Sequence, residues 1–324
     1  MAGADTGDWL LSVAACLAGV AVALLVAPWS EWVAKRCGAV DEPDEERRVH
    51  QGRIPRLGGL ALALGTIPGV LVAIKSAPGQ HGPLVGTLAG GLVVFLIGSV
   101  DDCRRLPWWL KLAGIVGAAA LAVSLGVRIS VVRNPFGEGF TGLGWSAGLV
   151  TGAWIVVLTN AFNLIDGLDG LAAGLASISG ASLVAMALSK GGALLPVGFV
   201  AAGLAGAALG FLYFNFNPAR MFMGDGGAYF VGFTLACLSV TGAMKTPVAI
   251  TLVIPLLVFA IPLADTTLAV LRRLARRQPI MAAPDRQHLH HRLLDMGLSQ
   301  RQVVVAIYIV SAIFCAWAVA LYAG

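Results

Sequence analysis

Charge is what this chain lacks. Only 12% of its 324 residues are Asp, Glu, Lys or Arg, against about 25% in a soluble domain, and that shortage excludes an ordinary water-soluble fold. No CxxC pair occurs. Cys16, Cys37, Cys103, Cys237 and Cys315 are scattered, which argues against a disulfide framework or a thiolate metal site, and they read as apolar filler. No basic run precedes the first apolar segment, from Trp9 to about Trp29, and no convincing cleavage site follows it. It therefore reads as a first membrane helix rather than a removed signal. The net charge of +5 points to no nucleic acid, because Lys and Arg in a membrane chain mainly report topology.

What is present is apolar. Hydrophobic residues make up 58% of the chain and fall in runs near 20 residues, the length that crosses a ~30 Å hydrocarbon core. Abundant glycine and alanine suit close helix packing. Ten segments are legible, at about 9–29, 57–75, 84–100, 108–126, 146–162, 168–188, 193–214, 227–244, 248–271 and 303–323. The expected fold is an all-α polytopic membrane protein with ten or eleven transmembrane helices. It forms one integral membrane domain over residues 1–324, with an active site built from loops and helix ends.

Numbering the connections alternately puts both termini on one side. Of the 22 Lys and Arg, all but Lys75, Arg128, Arg133, Lys190 and Lys245 belong to the opposite side. That side is therefore expected to be cytoplasmic, with both termini outside. The acidic residues give an independent check. From residue 101 onward, Asp101, Asp102, Asp166, Asp169, Asp225, Asp265, Asp285 and Asp295 lie on the basic side or its rim, and Glu138 alone does not. Carboxylates at a membrane rim are costly and are functional candidates by default.

Five stretches carry the candidate chemistry. "IGSVDDCRRLPWW" sets Asp101 and Asp102 side by side before Arg104 and Arg105. Such a pair shares a Mg²⁺, or raises one pKa by repulsion, or is simply a charged helix end; the arginines suit a lipid phosphate. "NAFNLIDGLDGLAAG" spaces Asn160, Asn163, Asp166 and Asp169 by threes, so on a helix they form one polar stripe, either purely structural or, as two amides and two carboxylates suit better, for Mg²⁺ and a sugar or nucleotide. "FNFNPARMFMGDGGAYFVG" presents Asn215, Asn217, Arg220 and Asp225. There Gly-Asp-Gly-Gly leaves the carboxylate uncrowded and backbone N–H groups open to a metal–phosphate ligand. "DRQHLHHRLLDMG" gathers His288, His290 and His291 beside Arg286 and Arg292, a spacing unlike the i, i+4 pair of a zinc protease helix and better suited to phosphate. "HQGRIPRLGG" brings Arg53 and Arg56 to the membrane edge, where they meet lipid phosphate or nucleotide, or anchor the helix. Asp265, within about two turns of the basic side, is either a site residue or a satisfied buried Asp.

Together these motifs, in order over about residues 41–300, resemble the polyprenyl-phosphate N-acetylhexosamine-1-phosphate transferases of glycosyl transferase family 4. Leu289 interrupts the histidines where the lipid I branch usually has three in a row, so the last motif resembles the N-acetylglucosamine-1-phosphate transferase branch. The resemblance implies transfer of N-acetylglucosamine 1-phosphate from UDP-N-acetylglucosamine to a polyprenyl phosphate in a bacterial plasma membrane. UMP is released, in the first membrane step of a cell-envelope glycopolymer. It assigns Asp225 to Mg²⁺, with Mn²⁺ as a substitute. Asp101 and Asp102 become candidates for the lipid-phosphate side, as base or, for Asp102, as second metal contact. Asn160, Asn163, Asp166, Asp169 and Asn215 would line the nucleotide-sugar pocket. Arg286, His288, His290 and His291 would hold the pyrophosphate or sugar, with His290 in the catalytic set. Arg53 and Arg105 would bind substrate, although the lipid I branch often has lysine at the place of Arg105. The implied partners are a UDP-N-acetylhexosamine, polyprenyl phosphate and the bilayer, with a homodimer as a further expectation and no nucleic acid.

Two rivals fit less well. A CDP-alcohol phosphotransferase needs an arginine after its first Asp-Gly, where "DGLDGLAAG" has Ala172 and Ala173. A transporter calls for similar halves or polar groups on both sides of the midplane, and neither is evident.

Overall fold

The computed structural model describes residues 4–41, 53–76, 82–133, 139–243 and 293–323, with scattered positions between 260 and 273. Among these residues lie the helices α1 (Thr6–Cys37), α2 (Gly59–Ser76), α3 (Gly82–Arg104), α4 (Trp108–Ser124), α5 (Ala147–Ile165), α6 (Leu171–Lys190), α7 (Leu195–Asn215), α8 (Gly224–Ala243) and α9 (Gln300–Ala323). They coincide with nine of the ten expected segments. The expected segment 248–271 lies mostly outside the described residues, as does Asp265. Two antiparallel ribbons interrupt the helical fold: β1 (Val40–Asp41) with β2 (Ile54–Pro55), and β3 (Val131–Arg133) with β4 (Phe140–Gly142).

Seven helices among the described residues are long and apolar enough to cross a membrane. The chain is thus a polytopic membrane protein. At 32 residues α1 reaches about 48 Å, more than a ~30 Å core requires. It begins at a capping box in which Asp5 and Asp8 satisfy each other's backbone N–H, and it ends at Gly38 with φ +75°.

Helix α7 occupies the middle, packed on α1, α2 and α6, while α8 packs on α3 and α5. In hydrocarbon there is little hydrophobic force between helices, so van der Waals contact between small residues must hold them. The interface of α7 shows this. A Cβ on Gly206 would lie 2.0 Å from the carbonyl oxygen of Cys16 on α1, and one on Gly69 of α2 would lie 3.0 Å from Gly203.

The packing brings the C-terminal ends of α3, α5 and α7 to the same end of the bundle as the N-terminal ends of α2, α4, α6, α8 and α9. Hydrogen bonds fasten these ends together. Gly58 and Gly59 donate to the carbonyls of Phe222 and Met223, Phe222 donates to that of Pro55, and Arg301 donates to that of Asn217. Every described carboxylate from Asp101 to Asp225 lies at this end.

Gly206→Ala is expected to push α1 from α7 and cost about 1–3 kcal/mol, as overpacking does. Gly117→Ala, where a Cβ meets nothing within 4 Å, should leave stability within about 0.5 kcal/mol. Thermal unfolding of the two purified variants checks the contrast.

Candidate active site

The site starts from the end of α3. Asp101, in its last turn, accepts from the backbone N–H of Leu106, which the chain offers by turning sharply at Arg105, φ +42°. The next helix, α4, returns Lys111 to the same spot. Its Nζ donates to Asp101 Oδ2 at 2.9 Å and to Asp225 Oδ2, on the first turn of α8, at 3.1 Å. The other Asp225 oxygen accepts from Asn163 Nδ2 at 3.0 Å. Tyr229, one turn along α8, is buried. Four helices thus converge on two carboxylates that share one ammonium.

Lys111 was legible only as one more basic residue in an apolar run. Its signal was weak but real: a lone lysine inside a membrane helix, near a cluster of Asp, needs a partner. Arg105, which was expected to bind substrate, is exposed.

Asp102 faces the other way. Its oxygens accept from the N–H groups of Asp225 at 2.9 Å and Gly226 at 3.1 Å. The expectation that Gly-Asp-Gly-Gly leaves those N–H groups open to a ligand is therefore corrected. These glycines serve close packing instead: a Cβ on Gly98 would lie 2.4 Å from Gly226 N, and one on Gly59 would lie 2.4 Å from Gly227 N.

The expected polar stripe is also corrected. Helix α5 stops at Ile165, so only Asn160 and Asn163 lie on it. Asn160 donates to the carbonyl of Val156 one turn back. Asp166 caps the helix, and the chain then turns through Gly170, φ +83°. Asp169 is buried and accepts from Asn217 Nδ2 and Ala219 N, each at 3.0 Å. Buried Asn215 accepts from Gly170 N at 3.1 Å and donates to the carbonyl of Met221 at 2.9 Å. Both therefore brace the α5–α6 turn against the α7–α8 loop. Arg53 is exposed at the start of β2, and Arg56 pairs with Asp41 at 3.3 Å. Arg286, His288, His290 and His291 lie outside the described residues.

The donors fit Mg²⁺. Among the described residues no group of three or more His, Cys, Asp or Glu is suited to an ion, so these residues build no closed cage by themselves. Mg²⁺ instead takes one or two carboxylates and fills its remaining positions with water and substrate phosphates. Asp101 and Asp225 offer that hard-oxygen pair, and their combined charge exceeds that of Lys111. Asp166, half-buried at the mouth of α5, feels the same excess. Burial foremost, then the charges of Asp225 and Asp102, push its carboxyl up to about 7.

Lys111→Met removes the shared cation from two part-buried carboxylates and is expected to cost about 1–3 kcal/mol, as for a buried polar group left without its partner. Lys111→Arg should recover part of it, and unfolding midpoints in Mg²⁺-free detergent check both. For Asp166 the folded value lies above the ordinary 3.8. The folded state therefore keeps a proton that the unfolded chain releases, and stability falls as pH rises between about 4 and 7. Asp166→Asn should flatten that slope, measured by unfolding midpoints across the same range.

Glycosyl transferase family 4 matches residues 84–243, which contain Asp101, Lys111, Asn163 and Asp225. A Bacillus subtilis protein named "Probable undecaprenyl-phosphate N-acetylglucosaminyl 1-phosphate transferase" is 39% identical over 309 residues, covering 95% of this chain and 84% of that protein. The decaprenyl-phosphate N-acetylglucosaminephosphotransferase of Mycolicibacterium smegmatis is 38% identical, covering 94% and 81%. The undecaprenyl-phosphate alpha-N-acetylglucosaminyl 1-phosphate transferase of Escherichia coli K12 is 31% identical, covering 87% and 76%. With its carboxylates and lysine gathered at one end of the bundle and this likeness running along almost its whole length, the chain belongs to glycosyl transferase family 4, in the branch of the undecaprenyl- and decaprenyl-phosphate N-acetylglucosamine-1-phosphate transferases.

Proposed function

We propose that this protein transfers N-acetylglucosamine 1-phosphate from UDP-N-acetylglucosamine to a polyprenyl phosphate, releasing UMP and leaving polyprenyl-diphospho-N-acetylglucosamine. The carrying observation is the Asp101–Lys111–Asp225 cluster at the membrane rim of a chain with these relatives. A lipid phosphate anchored in the bilayer and a soluble sugar nucleotide can meet only at such a rim.

An oxygen of the lipid phosphate attacks the β-phosphorus of the sugar nucleotide. The bond from that phosphorus to the bridging oxygen breaks, and UMP departs with the electron pair. The lipid phosphate has a second pKa near 6, so it needs little deprotonation at neutral pH. Asp101 then serves to orient it and take up the residual proton. Both reactants are anions, and the Lys111 ammonium offsets their repulsion. Asp225, with Asp101 beside it, would hold Mg²⁺, which neutralises diphosphate charge as in other phosphoryl transfers. Asn163 fixes the rotamer of Asp225 through its amide. Asn160 and Asp166 would face the nucleotide sugar, with Asp169 and Asn215 behind them as braces. Arg286, His288, His290 and His291 would contribute to pyrophosphate binding. The excess of basic residues at this end supports a cytoplasmic site in a plasma membrane, with ten spans and both termini outside. The reading "HLHH" favours UDP-N-acetylglucosamine over UDP-N-acetylmuramoyl-pentapeptide.

Purified protein supplied with polyprenyl phosphate and Mg²⁺ should release UMP from UDP-N-acetylglucosamine and not from UDP-N-acetylmuramoyl-pentapeptide. Asp225→Asn should lower turnover roughly 100-fold or more. Release from the pentapeptide substrate alone would move the protein to the lipid I branch, and flux of a solute without UMP would make it a transporter.

A further inference from the structure

Helix α8 has no cap of its own. A helix begins with backbone N–H groups that no turn of the same helix can satisfy, and Ser, Thr, Asp or Asn just before it usually accepts from them. Before α8 the chain reads Met221–Phe222–Met223, which offers no side-chain oxygen. The acceptor comes from α3. Asp102 Oδ1 takes the N–H of Asp225 and Oδ2 that of Gly226, each within 3.1 Å. Its negative charge also lies where the helix dipole favours one.

The fit leaves little room for anything else. Gly224 adopts φ +71°, and a Cβ there would lie 2.4 Å from Asp102 Oδ2 and 2.0 Å from the carbonyl oxygen of Arg56. A Cβ on Gly226 would lie 2.5 Å from Ser99 Oγ, and the tight approach of Gly98 closes the same seam. Asp101, by contrast, turns its carboxylate to Lys111, which also holds the Asp225 side chain.

We infer that the two adjacent aspartates divide the work. Asp101 faces the reacting groups, and Asp102 is a positioning residue, a cap supplied across 123 positions of sequence that sets where the Asp225 carboxylate stands. This rests on the proposed function only in taking Asp225 as an active-site residue.

The test has two readouts. Hydrogen exchange of the peptide spanning residues 222–230 is compared among the unsubstituted protein, Asp102→Ala, Asp102→Asn and Asp101→Ala. Both Asp102 variants should speed exchange at the start of α8, the alanine more than the asparagine, which keeps one acceptor; Asp101→Ala should not. In UMP-release assays Asp102→Asn should raise the Mg²⁺ concentration for half-maximal activity about tenfold while leaving KM for UDP-N-acetylglucosamine within about twofold. A loss of folded protein alone would lower turnover without moving that concentration. Unchanged exchange in both Asp102 variants, or equal change in Asp101→Ala, would overturn the inference. If the unsubstituted protein releases no UMP, the functional reading fails while exchange still decides whether Asp102 caps α8.

Discussion

One ammonium group holds the active end of this protein together. Lys111 of α4 touches Asp101 of α3 and Asp225 of α8, all three less than a quarter exposed. Removing charges from water costs several kcal/mol apiece unless each finds an opposite charge and hydrogen bonds. Here each does: Leu106 N–H completes Asp101, and Asn163 completes Asp225. Two carboxylates against one ammonium leave the cluster with net negative charge, which the proposed Mg²⁺ would offset.

That cluster exists only because backbones approach closely beneath it. Gly98 and Gly226 let α3 and α8 nearly touch, and Gly59 and Gly227 do the same for α2 and α8. Side chains there would move Asp225 away from Lys111 by ångströms, more than a hydrogen bond tolerates. The glycines of Gly-Asp-Gly-Gly therefore contribute to chemistry through packing. The same use of small residues seats α7 in the bundle, which in turn fixes the loop carrying Asn215 and Asn217.

Asn215, Asn217 and Asp169 form a second layer behind the site. Asp169 binds Asn217, Asn217 also donates to Gln300 at 2.8 Å, and Arg301 donates to the Asn217 carbonyl at 3.0 Å. Tyr308 of α9 donates to the carbonyl of Gly170. The loops on either side of α6 and α7 are thereby tied to α9, so their polar residues brace backbone where the motif pattern had suggested contact with substrate.

Nine helices among the described residues and the end of the bundle that gathers carboxylates were legible in the sequence, because membrane length, apolar runs and the rarity of charge leave few alternatives, although α1 runs on to Cys37 where an end at about 29 was expected. The motifs around Asp101, Asn163 and Asp225 were legible too, since each breaks an apolar run with groups that hydrocarbon does not tolerate alone. The partner of each group was not. Spacing by threes suggested a stripe that the end of α5 at Ile165 interrupts, and nothing local separates Asp101 from its neighbour Asp102. Those assignments depend on which backbone N–H and which cation stand opposite, and here they come from residues 10 and 123 positions away. The sequence by itself determined the kind of protein and the chemistry available to it. Only the tertiary structure decided that Lys111 joins Asp101 to Asp225 and that Asp102 accepts from the start of α8, because hydrogen bonds act over about 3 Å in space with no regard for distance along the chain.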